Sequence, residues 1–175
     1  MSYITTVTGK HFDPVCPDPE QIDVFDIAHA LSMICRVNGH VRCFYSVAQH
    51  SIACAKEAEA RGWSREIVLG CLFHDGSEAY LSDVTRPVKA ELPYYLEVEE
   101  RLQNMIWERF IGRPLTVEER RAVFEIDDAM LSMEFHQLMP DDYGDDYKKL
   151  TRDVICEEVS PESVREEFIR LAASA

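Results

Sequence analysis

Apolar positions recur at helical spacing along most of this chain, and residues 1–22 are the exception. In that segment β-branched residues surround Gly9-Lys10 and a proline-rich run, DPVCPDPE, follows, which predicts a short hairpin or extended arm leading into a loop. From Asp23, Val24, Ile27, Leu31 and Ile34 share one face and predict a helix that a polar break at residues 38–40 ends. The stripe Val47, His50, Cys54 predicts a second helix over 45–61. Gly62 and Ser64 then punctuate the chain before a third, carrying REIVLGCLFHDGSEAY. Asp83 to Pro87 reads as a loop, 94–111 and 116–139 as two long helices, and Ser160-Pro161 as the capped start of a C-terminal helix. The expected fold class is all-α, in one domain over 1–175: an arm (1–22), a helical core (23–140), then an acidic loop and a last helix (141–175).

Composition narrows the function without naming it. Hydrophobic residues make up 46% and charged residues 29%, which suits a globular domain able to bury its own core. A net charge of −14 opposes binding to a polymeric nucleic acid, although a pocket on an acidic protein can still be locally basic. Six cysteines show no CxxC pair and no framework spacing, and read as reduced thiols. No apolar run approaches membrane-spanning length, and the first residues lack a signal-peptide pattern. The expectation is a cytoplasmic protein with no membrane partner.

The chemistry concentrates on His74-Asp75, where the apolar run IVLGCLF meets a polar one. Adjacent His and Asp side chains at a core edge need partners for their polar atoms, and a divalent metal is one such partner. His50, on the buried stripe of the preceding helix, and the pair Asp127-Asp128 offer further ligands. Both aspartates have apolar neighbours at helical spacing, so periodicity leaves the choice between them open. Two imidazoles and two carboxylates would leave a divalent ion about neutral and suit Zn, Co, Mn or Fe better than Ca or Mg. Open positions on such an ion would mark a catalytic site. Taken singly, each residue also has a plain reading: a hydrogen-bonded core histidine for His50, an arginine-paired carboxylate for either aspartate.

His50, His74-Asp75 and Asp127 resemble the H…HD…D signature of the HD-domain metal-dependent phosphohydrolases. The resemblance runs over roughly 20–140 through DIAHALSMICRVNGH, FYSVAQHS, HDGSEAYLSDVTRPVK and IDDAMLSMEFHQL, closest to a bacterial and phage branch near the 5′-deoxynucleotidases. It implies a helical bundle, one divalent metal held by His50, His74, Asp75 and Asp127, and hydrolysis of phosphate from (deoxy)nucleotides by a water the metal activates. Asp128 becomes a neighbour or surface residue. Glu78, four residues after His74, matches the family's catalytic glutamate; the plain alternative is a carboxylate that orients His74. Asp83 matches an aspartate near the leaving-group oxygen, and otherwise serves as a turn residue.

For phosphate binding, Arg36 resembles the family's phosphate-holding arginine and Lys89 its PVK lysine, while Arg86 occupies a variable position; His40 and Arg42 read as a solvated loop. Val37 departs from the family, which carries tryptophan there for sugar recognition, so selectivity for deoxyribose does not transfer. The N-terminal arm is a second departure, read as a strap that stabilises the fold or contacts a second subunit. The same residues also serve a sister phage branch that cleaves deoxynucleoside triphosphates, including dATP, to triphosphate and nucleoside. A non-catalytic nucleotide-sensing protein is the alternative of another class. The resemblance implies a homodimer or higher homo-oligomer in a bacterial or phage-infected cell.

Overall fold

The computed structural model describes residues 3–140 and 149–175; the acidic stretch 141–146, expected to be a solvated face, lies outside the described residues. The fold is all-α apart from one hairpin at the N-terminal arm. Strands β1 (Ile4–Thr5) and β2 (His11–Phe12) pair antiparallel, with Gly9 at φ +83° in the turn, a conformation that suits glycine. The arm is tied down. Thr8 donates its backbone N–H and hydroxyl to the Asp26 carboxylate at 3.0 and 2.8 Å, and the fully buried Phe12 stacks on Tyr80 with ring centroids 4.0 Å apart. It works as a strap on the helices rather than as a free extension.

The helices are α1 (Val24–Met33), α2 (Val47–Ala60), α3 (Arg65–Leu72), α4 (Glu78–Leu81), α5 (Arg86–Lys89), α6 (Pro93–Ile111), α7 (Val117–Leu138) and α8 (Pro161–Ser174). Their starts follow sequence logic. Asp23 caps α1, and reciprocal capping boxes, Ser46 with Gln49 and Thr116 with Glu119, open α2 and α7. Helix α2 lies at the centre, packed by α1, α3, α7 and α8. One continuous core joins residues from Phe12 to Leu171, and α8 closes it by burying Val164, Phe168 and Leu171. Among the described residues no helix is long and apolar enough to cross a membrane.

Two features position the site. At Gly70 of α3 an added Cβ would lie 2.9 Å from Val123 of α7, so glycine permits the close approach that sets the end of α3 beside Asp127. The other is a correction: the single helix expected over 65–80 breaks after Leu72 into turns through Phe73–Ser77 before α4 begins. Gln103 of α6 stabilises the break, donating to the Phe73 carbonyl at 2.7 Å and accepting the Ser77 N–H at 3.1 Å. A side chain thereby satisfies backbone groups that the interrupted helix frees. The expected loop over 83–87 likewise contains the start of a short helix, α5, with Pro87 in its first turn where no N–H is needed.

Candidate metal centre

The break after α3 matters because it frees the carbonyl of Cys71. His74 places Nδ1 2.7 Å from that oxygen. A carbonyl only accepts, so Nδ1 carries the proton and Nε2 of the neutral ring presents a lone pair. His50, fully buried on α2, sets Nδ1 2.9 Å from Oε1 of Glu134 on α7, and a carboxylate partner there selects the same tautomer.

Both Nε2 atoms then face one point, 3.1 Å apart. Asp127 Oδ1 lies 3.1 Å from Nε2 of His50 and 3.6 Å from that of His74. Asp75 Oδ2 stands 3.3 Å from Nε2 of His74 and 3.9 Å from that of His50. Electron-rich atoms so arranged repel one another unless positive charge sits among them. Donors held about 2.0–2.2 Å from one ion lie roughly 3–3.6 Å from each other, so the convergence fits a divalent transition metal. Cys54, one turn past His50, brings Sγ to 3.7 Å from His50 Nε2, and the buried group His50, Cys54, His74 could hold a metal ion.

The electrostatics agree with the geometry. Burial opposes charge on both imidazoles, with Arg36 adding to that at His50. Cys54, Glu134 and Asp127 around His50, and Asp75 and Asp127 around His74, outweigh it and raise both rings above their ordinary range. Burial pushes the Asp127 carboxyl up, yet the two imidazoles hold it well below the usual carboxylate range. The carboxylates thus favour positive charge at the two rings, whether carried by protons or by an ion.

Glu78 stands beside this cluster at the start of α4, buried, with Oε2 lacking any hydrogen-bond partner. Its acidity is suppressed first by burial and then by Asp75 and Asp83, while Lys89 and Arg36 pull the other way; the balance leaves its pKa well above the carboxylate range. Lys89 reaches Oε1 of Glu78 at 3.5 Å, but its ammonium is also held by Glu99, so its charge is engaged rather than free. Arg36 is buried in a 3-10 turn, 3.5 Å from Asp75 Oδ2 and 3.4 Å from Glu134 Oε2, with Nε unpartnered. It does not close α1, which ends at Met33.

Arg86, with a side chain 68% exposed, bridges Asp127 at 3.4 Å and Asp128 at 3.3 Å. Asp128 points outward and touches the site through that arginine. Asp83 is half-buried after α4, and acts on Glu78 through its charge. Val37 follows Arg36 at φ +53°, an unfavourable left-handed conformation for a β-branched residue.

Four participants were not among the residues the sequence singled out: Glu134, Cys54, Gln103 and Glu99. Glu134 follows Asp127 by seven residues and Cys54 follows His50 by four, so both lay on faces already identified. Gln103 and Glu99 reach the site from α6, for which no sequence signal existed.

The uncharacterized protein YfdR of Escherichia coli (strain K12) is 40% identical over 110 residues, 63% of this chain and 59% of YfdR. The chain therefore spans less than two thirds of that relative's length. The uncharacterized protein RCAP_rcc00048 of Rhodobacter capsulatus is 34% identical over 140 residues, covering 75% of this chain and 70% of its own. No protein-family model matches the chain.

Proposed function

The chain belongs to one family with the Rhodobacter capsulatus protein RCAP_rcc00048, and we propose that it is a divalent-metal-dependent phosphohydrolase of the HD-domain type. Its substrates under this reading are (deoxy)nucleotides, foremost 2′-deoxynucleoside 5′-monophosphates, from which it releases phosphate. One observation carries the reading: a carboxylate oxygen of Asp75 and one of Asp127 each lie within 3.9 Å of Nε2 of both histidines, beside a buried carboxyl, Glu78, whose Oε2 has no partner.

His50, His74, Asp75 and Asp127 would hold the ion, which when bound supplies Lewis acidity toward a phosphoryl oxygen and toward water. Glu134 and the Cys71 carbonyl keep both rings in the tautomer that offers Nε2. Glu78 Oε2, buried and without a partner, takes or returns a proton at the attacking water or the leaving oxygen. Lys89, itself held by Glu99, contacts the other oxygen of that carboxyl at 3.5 Å. Arg36 supplies a guanidinium with a free buried Nε, able to exchange its long contacts to Asp75 and Glu134 for phosphate oxygens. Burial lowers the Arg36 pKa and Glu134 and Asp75 more than restore it, so the group stays charged.

A second reading, hydrolysis of deoxynucleoside triphosphates to triphosphate and nucleoside, is favoured by Arg86: an exposed guanidinium at Asp127 is placed to meet a longer polyphosphate. Assaying phosphate, pyrophosphate and triphosphate released from a panel of nucleoside mono- and triphosphates, with Co or Mn present, separates the two. Phosphate from monophosphates supports the first reading, triphosphate the second, and no product from either class removes both.

A further inference from the structure

We infer that Cys54 is itself a ligand of the divalent ion, its sulfur joining the two histidines and two aspartates to make a mixed sulfur, nitrogen and oxygen centre. The inference rests on the metal-centre reading above and deepens it.

Position comes first. Cys54 follows His50 by one turn on the same face of α2, at 1% exposure, with Sγ 3.7 Å from His50 Nε2. Sγ and one ring nitrogen from each histidine lie within 4.8 Å of one another. A zinc–sulfur bond is about 2.3 Å and a zinc–nitrogen bond about 2.0–2.1 Å, so two such ligands sit roughly 3.1 Å apart at a right angle and roughly 3.5 Å apart at a tetrahedral one. The observed 3.7 Å lies nearest the tetrahedral separation.

The alternative is a thiol that merely fills the core. A core cysteine is free to point at any apolar neighbour. This one points at the ring nitrogen that already faces His74 Nε2 and Asp127 Oδ1. As a hydrogen bond the thiol would give its one proton to His50 Nε2 and leave the His74 lone pair and the Asp127 carboxylate facing it without a donor. As coordination it would add a fifth donor to an ion held by the two histidines and two aspartates. Cys71, the other fully buried thiol, lies outside the group, so burial alone does not bring a sulfur there.

The consequence is a preference. Sulfur is a soft donor, and its presence favours Zn, Co and ferrous iron over Mg or Mn. On coordination the S–H bond breaks and its proton passes to solvent, so loading the ion releases a proton. With five protein donors, a six-coordinate ion would keep one position for water or a substrate oxygen.

X-ray absorption at the zinc edge tests this on the full chain loaded with one equivalent of zinc, alongside Cys54→Ser and Cys54→Ala, with zinc content measured on each. The expected wild-type spectrum contains a sulfur neighbour at about 2.3 Å, lost in both variants while zinc is retained. A wild-type shell of nitrogen and oxygen only, with zinc bound, overturns the inference and leaves the four-ligand centre standing. A sulfur shell that survives in either variant overturns it too. Wild-type protein that retains no zinc removes the centre and the inference together. Should neither variant fold, as judged by circular dichroism, the wild-type spectrum decides alone.

Discussion

Two buried carboxylate clusters lie two turns apart along α2, and they are built on opposite principles. At its C-terminal half, the fully buried Glu57 accepts from Arg61 Nε at 2.8 Å, from the Thr151 N–H at 2.8 Å and from the Arg152 N–H at 3.2 Å. Every oxygen meets a donor. Burial raises its pKa, the Thr151 N–H and Arg61 outweigh burial, and the carboxylate is held below its ordinary value. At His50, acceptors face acceptors, Glu78 Oε2 and Arg36 Nε have no partner, and the Glu78 carboxyl is pushed well above its range. A closed polar cluster pins a segment of chain to the bundle; an open one could hold a metal ion.

Substitution at the open cluster should abolish chemistry, and at the closed one stability. His74→Ala or Asp75→Ala carries the largest effect: metal retention and turnover fall together, turnover by on the order of 10³-fold or more, with helical content unchanged. Glu78→Gln comes next. It keeps its metal by elemental analysis while turnover falls about 10²–10⁴-fold, and an unchanged rate would take the glutamate out of the mechanism. Glu57→Ala inverts the pattern, costing about 2–4 kcal/mol in urea unfolding with metal content and turnover of the folded protein intact.

The Glu57 contribution also has a pH sign. Its folded pKa lies below the ordinary glutamate value of 4.5, so its stabilisation is complete above that pH and is lost as pH falls through the lowered folded value. The stability gap between wild type and Glu57→Gln should therefore narrow on acidification. Glu134→Gln should weaken metal affinity by roughly 10–100-fold while leaving the ligands in place, which isothermal titration would read. Asp128→Ala should change metal content and turnover least, and lost metal there would shift the ligand assignment away from Asp127.

The same contrast explains what the sequence disclosed. His50, His74 and Asp75 stood out because each puts a polar atom on or at the edge of an apolar face, and helical spacing is readable from one segment at a time; between Asp127 and Asp128 that spacing left the choice open, and the family resemblance made it. The all-α class, the N-terminal hairpin and the Ser160-Pro161 cap were legible for the same local reason. The break after Leu72 was not, because the side chain that satisfies it is Gln103, thirty residues downstream of the Phe73 carbonyl it holds. Lys89 read as a free cation for phosphate until Glu99 of α6 was seen to share it with Glu78. Glu57 drew no notice in the sequence: its donors come from Thr151 and Arg152, across a long separation that no periodicity encodes.

The most direct test loads the full chain and Glu78→Gln with cobalt to equal content and follows phosphate release from 2′-deoxynucleoside 5′-monophosphates. The open-cluster account predicts one phosphate freed per nucleoside formed by the wild type, with the variant slowed about 10²-fold or more at the same cobalt content. Folded, cobalt-replete wild type that releases no phosphate, pyrophosphate or triphosphate from any nucleotide would contradict it.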